Sequence, residues 1–158
     1  MTRETFYLIT KDQILESAEF NGDMYPSGYG DEALEVLREV ESEEQFRSMV
    51  EDFNTNHHNY EEELIYDKLW FVEEGKNGWL KGTFELDETI DFRNKYFDRF
   101  FSDYIFIRNL TETDYKFIDG DGVEGIIKAN DTLRLSFGRL VEGSRNTLVE
   151  WLGENKEA

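Results

Sequence analysis

Apolar positions along this chain fall into two rhythms, and the switches between them divide it into predicted elements. Phe6-Tyr7-Leu8-Ile9 is a short run of aromatic and branched residues and predicts a strand. Thr10 and Gln13 then form a capping-box pattern ahead of Ile14, Leu15 and Ala18, so a helix is expected up to Phe20. Residues 21–30 hold three glycines and the only proline, the composition of an exposed loop. Ala33, Val36, Leu37 and Val40 recur at i, i+3, i+4 and i+7, with Glu32, Glu35 and Glu39 on another face, which predicts an amphipathic helix. Ser42 and Gln45 repeat the capping box before a second such stripe, Phe46, Met49, Val50 and Phe53.

Beyond a polar loop at Asn54 to Asn59, the rhythm changes. Leu69 to Val72, a Gly75 to Gly78 turn and the alternating Leu80, Phe84 and Leu86 predict a β-hairpin. Asp87 or Asp91 is placed to start a helix with the aromatic stripe Phe92, Tyr96, Phe97, Phe100 and Phe101, extending to Tyr104 at its far end. Ile105 to Ile107, Tyr115 to Ile118, Val123 to Lys128 and Leu133 to Phe137 read as an antiparallel meander. Ser144 can cap a last helix through Leu148, Val149 and Leu152. The expected fold class is α+β, with amphipathic helices packed on a mainly antiparallel β-sheet in a single domain at residues 1–153, and a polar C-terminal tail at 154–158.

Charge sharpens this picture. The chain carries a formal net charge of −19, yet its thirteen Phe, eight Tyr and three Trp supply the bulky apolar area that disordered acidic chains lack. The charge is concentrated. Asp31 to Glu74 holds fifteen acidic residues against three basic ones, Arg38, Arg47 and Lys68. Within it, Glu43 and Glu44 lie in the first turn of the second helix, where the dipole favours them, while Glu51 and Asp52 sit near its disfavoured end. Like carboxylates at i, i+4 repel, and an ordinary solvated helix mixes both signs. Uncompensated repulsion is the mark of a surface meant for a basic partner.

The usual catalytic equipment is sparse. With no cysteine there is no thiolate nucleophile or disulfide. His57 and His58 are adjacent and cannot share a helix face as paired metal ligands do, and no G-x-S-x-G occurs. Gly28-Tyr29-Gly30 lacks the third glycine of a dinucleotide fingerprint. Asp119-Gly120-Asp121-Gly122-Val123-Glu124 resembles a calcium loop but has Val123 and Glu124 where a ligand and a glycine belong, so a tight turn is the simpler reading. Thirty-six acids guarantee accidental carboxylate pairs, which makes such pairs uninformative about glycoside hydrolysis. No catalytic residue, metal or cofactor is therefore expected.

Net negative charge also disfavours direct contact with nucleic acid or anionic membranes. The amino-terminal apolar run is too short for a signal peptide and no stretch suits a bilayer span, so a cytoplasmic protein is expected. The expected partner is a basic nucleic-acid-binding protein such as a nuclease, met by Glu32, Glu35, Glu39, Glu43, Glu44, Glu51, Asp52, Glu61, Glu62 and Glu63. In general character the chain resembles acidic phage-encoded antidefence proteins, the anti-CRISPR and antirestriction inhibitors, a resemblance of composition that brings no residue roles with it. A bacterial immunity protein against a nuclease toxin fits the same pattern. A small-ligand-binding or hydrolytic domain with a merely solubilising surface is the alternative of a different class.

Overall fold

The computed structural model describes residues 3–11, 14–17, 20–21, 23, 25–45, 79–81, 89–93 and 103–154. Its centre is β1 (Arg3–Ile9), buried from Glu4 to Ile9 on both faces. A strand with two apolar faces requires cover on each side and neighbours along both edges. On one edge β1 pairs in parallel with β6 (Tyr104–Asn109), Phe6 opposite Phe106. On the other it pairs antiparallel with β2 (Ile14–Ser17), Ile9 opposite Ile14, and with β3 (Phe20–Asn21). Adding β4 (Trp79–Lys81), β9 (Thr132–Ser136) and β10 (Arg139–Gly143) gives a seven-stranded sheet in the order β10-β9-β6-β1-β2-β4, with β3 beside β1. A second sheet orders β5 (Ile90–Asp91), β7 (Tyr115–Ile118) and β8 (Glu124–Ile127). Among the described residues only β1 with β6 and β5 with β7 pair in parallel, so the fold is α+β with mainly antiparallel sheets.

The large sheet separates two apolar clusters. Phe6, Leu8 and Phe106 face α1 (Asp31–Glu39), which buries Ala33, Leu34 and Leu37 against them. Tyr7, Ile9, Ile105, Ile107, Leu133 and Leu135 face the other way, onto Phe92, Phe117 and Ile127 from the small-sheet side and onto α2 (Arg145–Glu154) through Leu148 and Trp151. Edge-on aromatic contacts join Tyr7 to Phe92 and Phe92 to Phe117, with ring centroids 5.5 and 6.5 Å apart. Ser144 caps α2, its Oγ accepting the Thr147 N–H at 3.3 Å.

Four expectations are corrected. Tyr104, expected at the far end of the aromatic helix, opens β6 instead. The helix expected from Thr10 to Phe20 is replaced by β2 and β3, which fold back on β1. Ile14 goes into the second cluster, and strand pairing to an otherwise unpaired edge outweighs the local capping pattern. The expected meander exists as strands but is split between two sheets: β6 pairs with β9, while β7 and β8 form a hairpin elsewhere. Both faces of β6 are apolar, and its tie to the amino-terminal strand cannot be read from adjacent residues. Part of the predicted loop at 21–30 also differs, since Pro26–Gly30 forms a turn, kinked at Gly28, that leads directly into α1. Asp91 does open a helical turn: its Oδ1 accepts the Arg93 N–H at 3.0 Å. The rest of that predicted aromatic helix, the second helix beyond residue 45, the first arm of the predicted hairpin, and His57 and His58 lie outside the described residues.

Candidate interaction surface

Helix α1 begins with Asp31 and Glu32, acids that suit the positive end of its dipole, and ends at Val40, whose N–H returns to the Leu37 carbonyl. Its buried stripe fixes which side faces outward, and Glu32, Glu35 and Glu39 are all exposed there. Successive carboxylates at these spacings have Cβ atoms about 5–6 Å apart. The single base of the helix, Arg38, reaches instead to Glu142 on β10 at 3.5 Å. Among the described residues, no Lys or Arg pairs with Glu32, Glu35 or Glu39.

The helix is held on the sheet by buried arginines. Arg134 of β9, whose side chain is only 6% exposed, contacts Asp31 at 3.0 Å and Glu142 at 3.4 Å. Arg108 of β6 grips the opposite end. Its Nε and Nη2 both donate to the Val40 carbonyl, Nη2 also reaches Asn130 Oδ1 at 2.8 Å, and Nη1 donates to the Asn130 carbonyl and, at 3.4 Å, to Thr132 Oγ1. Burial pulls the Arg108 guanidinium below its ordinary pKa, opposed by the charges of Asp131 and Glu41. A cation just beyond the end of α1, at the carbonyl of its C-cap residue Val40, also complements the negative end of the helix.

The chain then turns sharply. Ser42 Oγ accepts the Gln45 N–H at 3.0 Å and Gln45 Oε1 accepts the Glu41 N–H, a capping arrangement that brings Glu41, Glu43 and Glu44 to the rim of an open cleft. Thr10, Lys11, Ser42 and Leu110 complete the lining, and the cleft encloses about 470 Å³. Glu44 is exposed and Glu43 half-buried. The structure thus places Glu32, Glu35 and Glu39 on the exposed side of α1 and Glu43 and Glu44 at the cleft rim beyond its end, while Glu51, Asp52, Glu61, Glu62 and Glu63 lie outside the described residues. Sequence reasoning missed Glu41 and Lys11 on the cleft; Glu41 adjoins Ser42 in the chain, while only the fold brings Lys11, just past β1, near it. It also counted Arg38 among the bases of the stretch without seeing that Glu142 takes it up.

The calcium-like segment is a turn. Asp119 Oδ1 accepts the N–H groups of Asp121 and Val123 at 2.9 and 3.0 Å, closing the β7–β8 hairpin, and Asp121 pairs with Arg139. At the other end of that hairpin Asp114 accepts the Ala129 N–H and, with Glu150, holds Lys128. The backbone bond to Ala129 is the main cause that lowers the Asp114 pKa, and hydrogen bonding to Glu150 is the main one that raises that of Lys128. A depressed acid contributes stability above its unfolded pKa and loses it as pH falls through the folded value; a raised base loses its share as pH rises through its own. Acid titration below the ordinary aspartate range is thus expected to loosen the 114–129 closure, and Asp114→Asn to flatten that limb, as read by amide exchange at Ala129. Equal acid sensitivity in wild type and variant contradicts this assignment.

Comparisons with protein-family models, with curated proteins and with solved structures gave no match for this chain. Among the described residues no group of His, Asp and Glu is arranged to hold a metal ion, and no helix is long and apolar enough to cross a membrane.

Proposed function

We propose that this chain is a non-enzymatic acidic inhibitor that covers the nucleic-acid-binding surface of a basic enzyme. The observation that carries the reading is the row Glu32, Glu35 and Glu39, exposed and unmatched by any described base, on a helix anchored at both ends by buried arginines. Nine residues of helix extend about 13 Å, so the row presents negative charge at a pitch comparable with a phosphate backbone. Rigid mounting adds to this, because a preorganised surface loses less conformational entropy on binding. The reading extends to the phage antidefence type, such as anti-CRISPR or antirestriction inhibitors, or to immunity proteins against nuclease toxins.

The test is affinity capture from host lysate at low and high salt, followed by titration of the captured protein with the chain. A basic nuclease or other nucleic-acid-binding enzyme is expected, bound less tightly at high salt. Reversing Glu35 and Glu39 together to Lys is expected to weaken binding by about a hundredfold or more while the folding midpoint holds, since a close charge pair contributes on the order of 1.5 kcal/mol or more. Undiminished affinity after the reversals ends the mimicry reading. The cleft beside Ser42 is the observation that favours a small-ligand-binding or hydrolytic domain instead, a reading supported by calorimetric binding of a small molecule that the reversals leave untouched.

A further inference from the structure

The cleft beside Ser42 lies where β1 and β6, among the described residues the one parallel pair of the large sheet, part company. The two strands run side by side as far as Ile9 and Asn109, and the Leu110 N–H still donates to the Ile9 carbonyl at 2.9 Å. Beyond that bond they diverge: one chain turns back into β2, the other leaves for β7 in the small sheet. Divergence at the carboxyl ends of adjacent parallel strands opens a crevice, the usual place for a ligand in open sheets. Thr10 and Lys11 enter it from one strand and Leu110 from the other. Arg108, two residues before Leu110, grips the Val40 carbonyl and so brings the segment from Glu41 to Glu44 to the same cleft. The site is therefore built before any ligand arrives.

We propose that this cleft binds a free basic amino acid of the arginine or lysine class. The observation that points to it is a set of opposite charges left unmatched in one cavity. Among the described residues Lys11 pairs with no carboxylate, and neither Glu41 nor Glu44 pairs with a base, although all three line the cleft. The N–H groups of Arg108, whose charge Glu41 feels, are already taken up by Val40, Asn130 and Thr132. A zwitterion meets both signs at once, its α-carboxylate on Lys11 and its α-ammonium on a glutamate. The three acids of the lining outnumber its one lysine, so the matching ligand carries a second cation, on a side chain whose methylenes lie along Leu110. The basic side chain of a partner protein brings no carboxylate and leaves Lys11 unmet. The proposal rests on the small-ligand reading of the cleft and makes no use of the acidic row on α1.

Calorimetric titration of the full chain with L-arginine and L-lysine tests this, and at least one is expected to bind with a Kd of about 1 mM or tighter. L-Citrulline lacks the side-chain cation; agmatine and N-acetyl-L-arginine amide lack the carboxylate. Each is expected to bind at least about tenfold more weakly. Lys11→Met should weaken the amino acid about tenfold without weakening agmatine, a split that general damage to the cleft does not produce. Glu44→Gln should weaken both. The proposal is overturned by no binding of either amino acid at about 10 mM, by equal binding of any of the three analogues, or by a Lys11→Met chain that binds like wild type. Equal binding of agmatine or the blocked amide keeps a ligand site in the cleft while ending this ligand class. The inhibitor reading stands in either case, because it fails on Glu35 and Glu39 in a different assay.

Discussion

Arg108→Met is expected to lower the stability of the folded chain by about 3 kcal/mol or more, the scale at which breaking a buried charged network destabilises a protein. Three acceptors are left bare by the change: the Val40 carbonyl, the Asn130 carbonyl and Asn130 Oδ1. Of these only the Val40 acceptor is on a buried residue, where lacking a donor costs about 1–3 kcal/mol; Asn130 is exposed, and its two acceptors can turn to water. Relief from desolvating the guanidinium offsets part of this, which is why the expected loss is smaller than the sum over bonds. Arg108→Lys keeps the charge but replaces a planar fork by a point donor, and is expected to recover less than half of the loss. Chemical denaturation measures all three proteins. Native-state amide exchange adds a local readout, with faster exchange expected first around Val40 and Glu41. A Met variant as stable as wild type would show that the Arg108 grip on the end of α1 contributes nothing to the fold.

That grip also marks the limit of what the sequence discloses. The apolar stripe of α1 and the capping at Ser42 were legible because both are local: Ala33, Leu37 and Val40 lie one or two turns apart, and Ser42 bonds Gln45. The strands β6 to β9 were legible as segments for the same reason. Their partners were not, because Phe106 meets Phe6 and Ile107 lies opposite Tyr7 across nearly a hundred residues of chain. The Thr10 capping pattern misled because helix and hairpin are both locally allowed there, and only the open edge of β1 decides between them. The outward carboxylates Glu32, Glu35 and Glu39 followed directly from helical periodicity. Arg108, Arg134 and Glu142, which hold that helix in place, carried no signal, since an isolated charge on a strand usually faces water and the partners of these residues are far along the chain.

Gly125→Val sets local preference against tertiary contact. In β8 a branched residue has the better strand propensity, so a purely local view expects the substitution to stabilise. The structure predicts the reverse. A Cβ at Gly125 meets Phe117 Cζ at 2.6 Å and Trp151 Cδ1 at 2.7 Å, closer than packed carbon atoms approach. Phe117 is fully buried in the second cluster and Trp151 is the residue through which α2 packs there, so neither ring can swing away without opening that cluster. Overpacking of this kind costs about 1–3 kcal/mol for modest insertions, and the two further methyls of Val place the expected loss at the upper end or beyond. Gly125→Ala, with the Cβ alone, should cost less but keep the sign. Trp151→Ala separates clash from strand effects. It destabilises by itself, yet in combination with Gly125→Val the total loss should fall short of the sum by about 1 kcal/mol or more, because the added methyls occupy space the indole vacates. Denaturation midpoints of the four proteins in that cycle decide it: strict additivity, or a Val variant more stable than wild type, contradicts the close approach of α2 to β8 at Gly125.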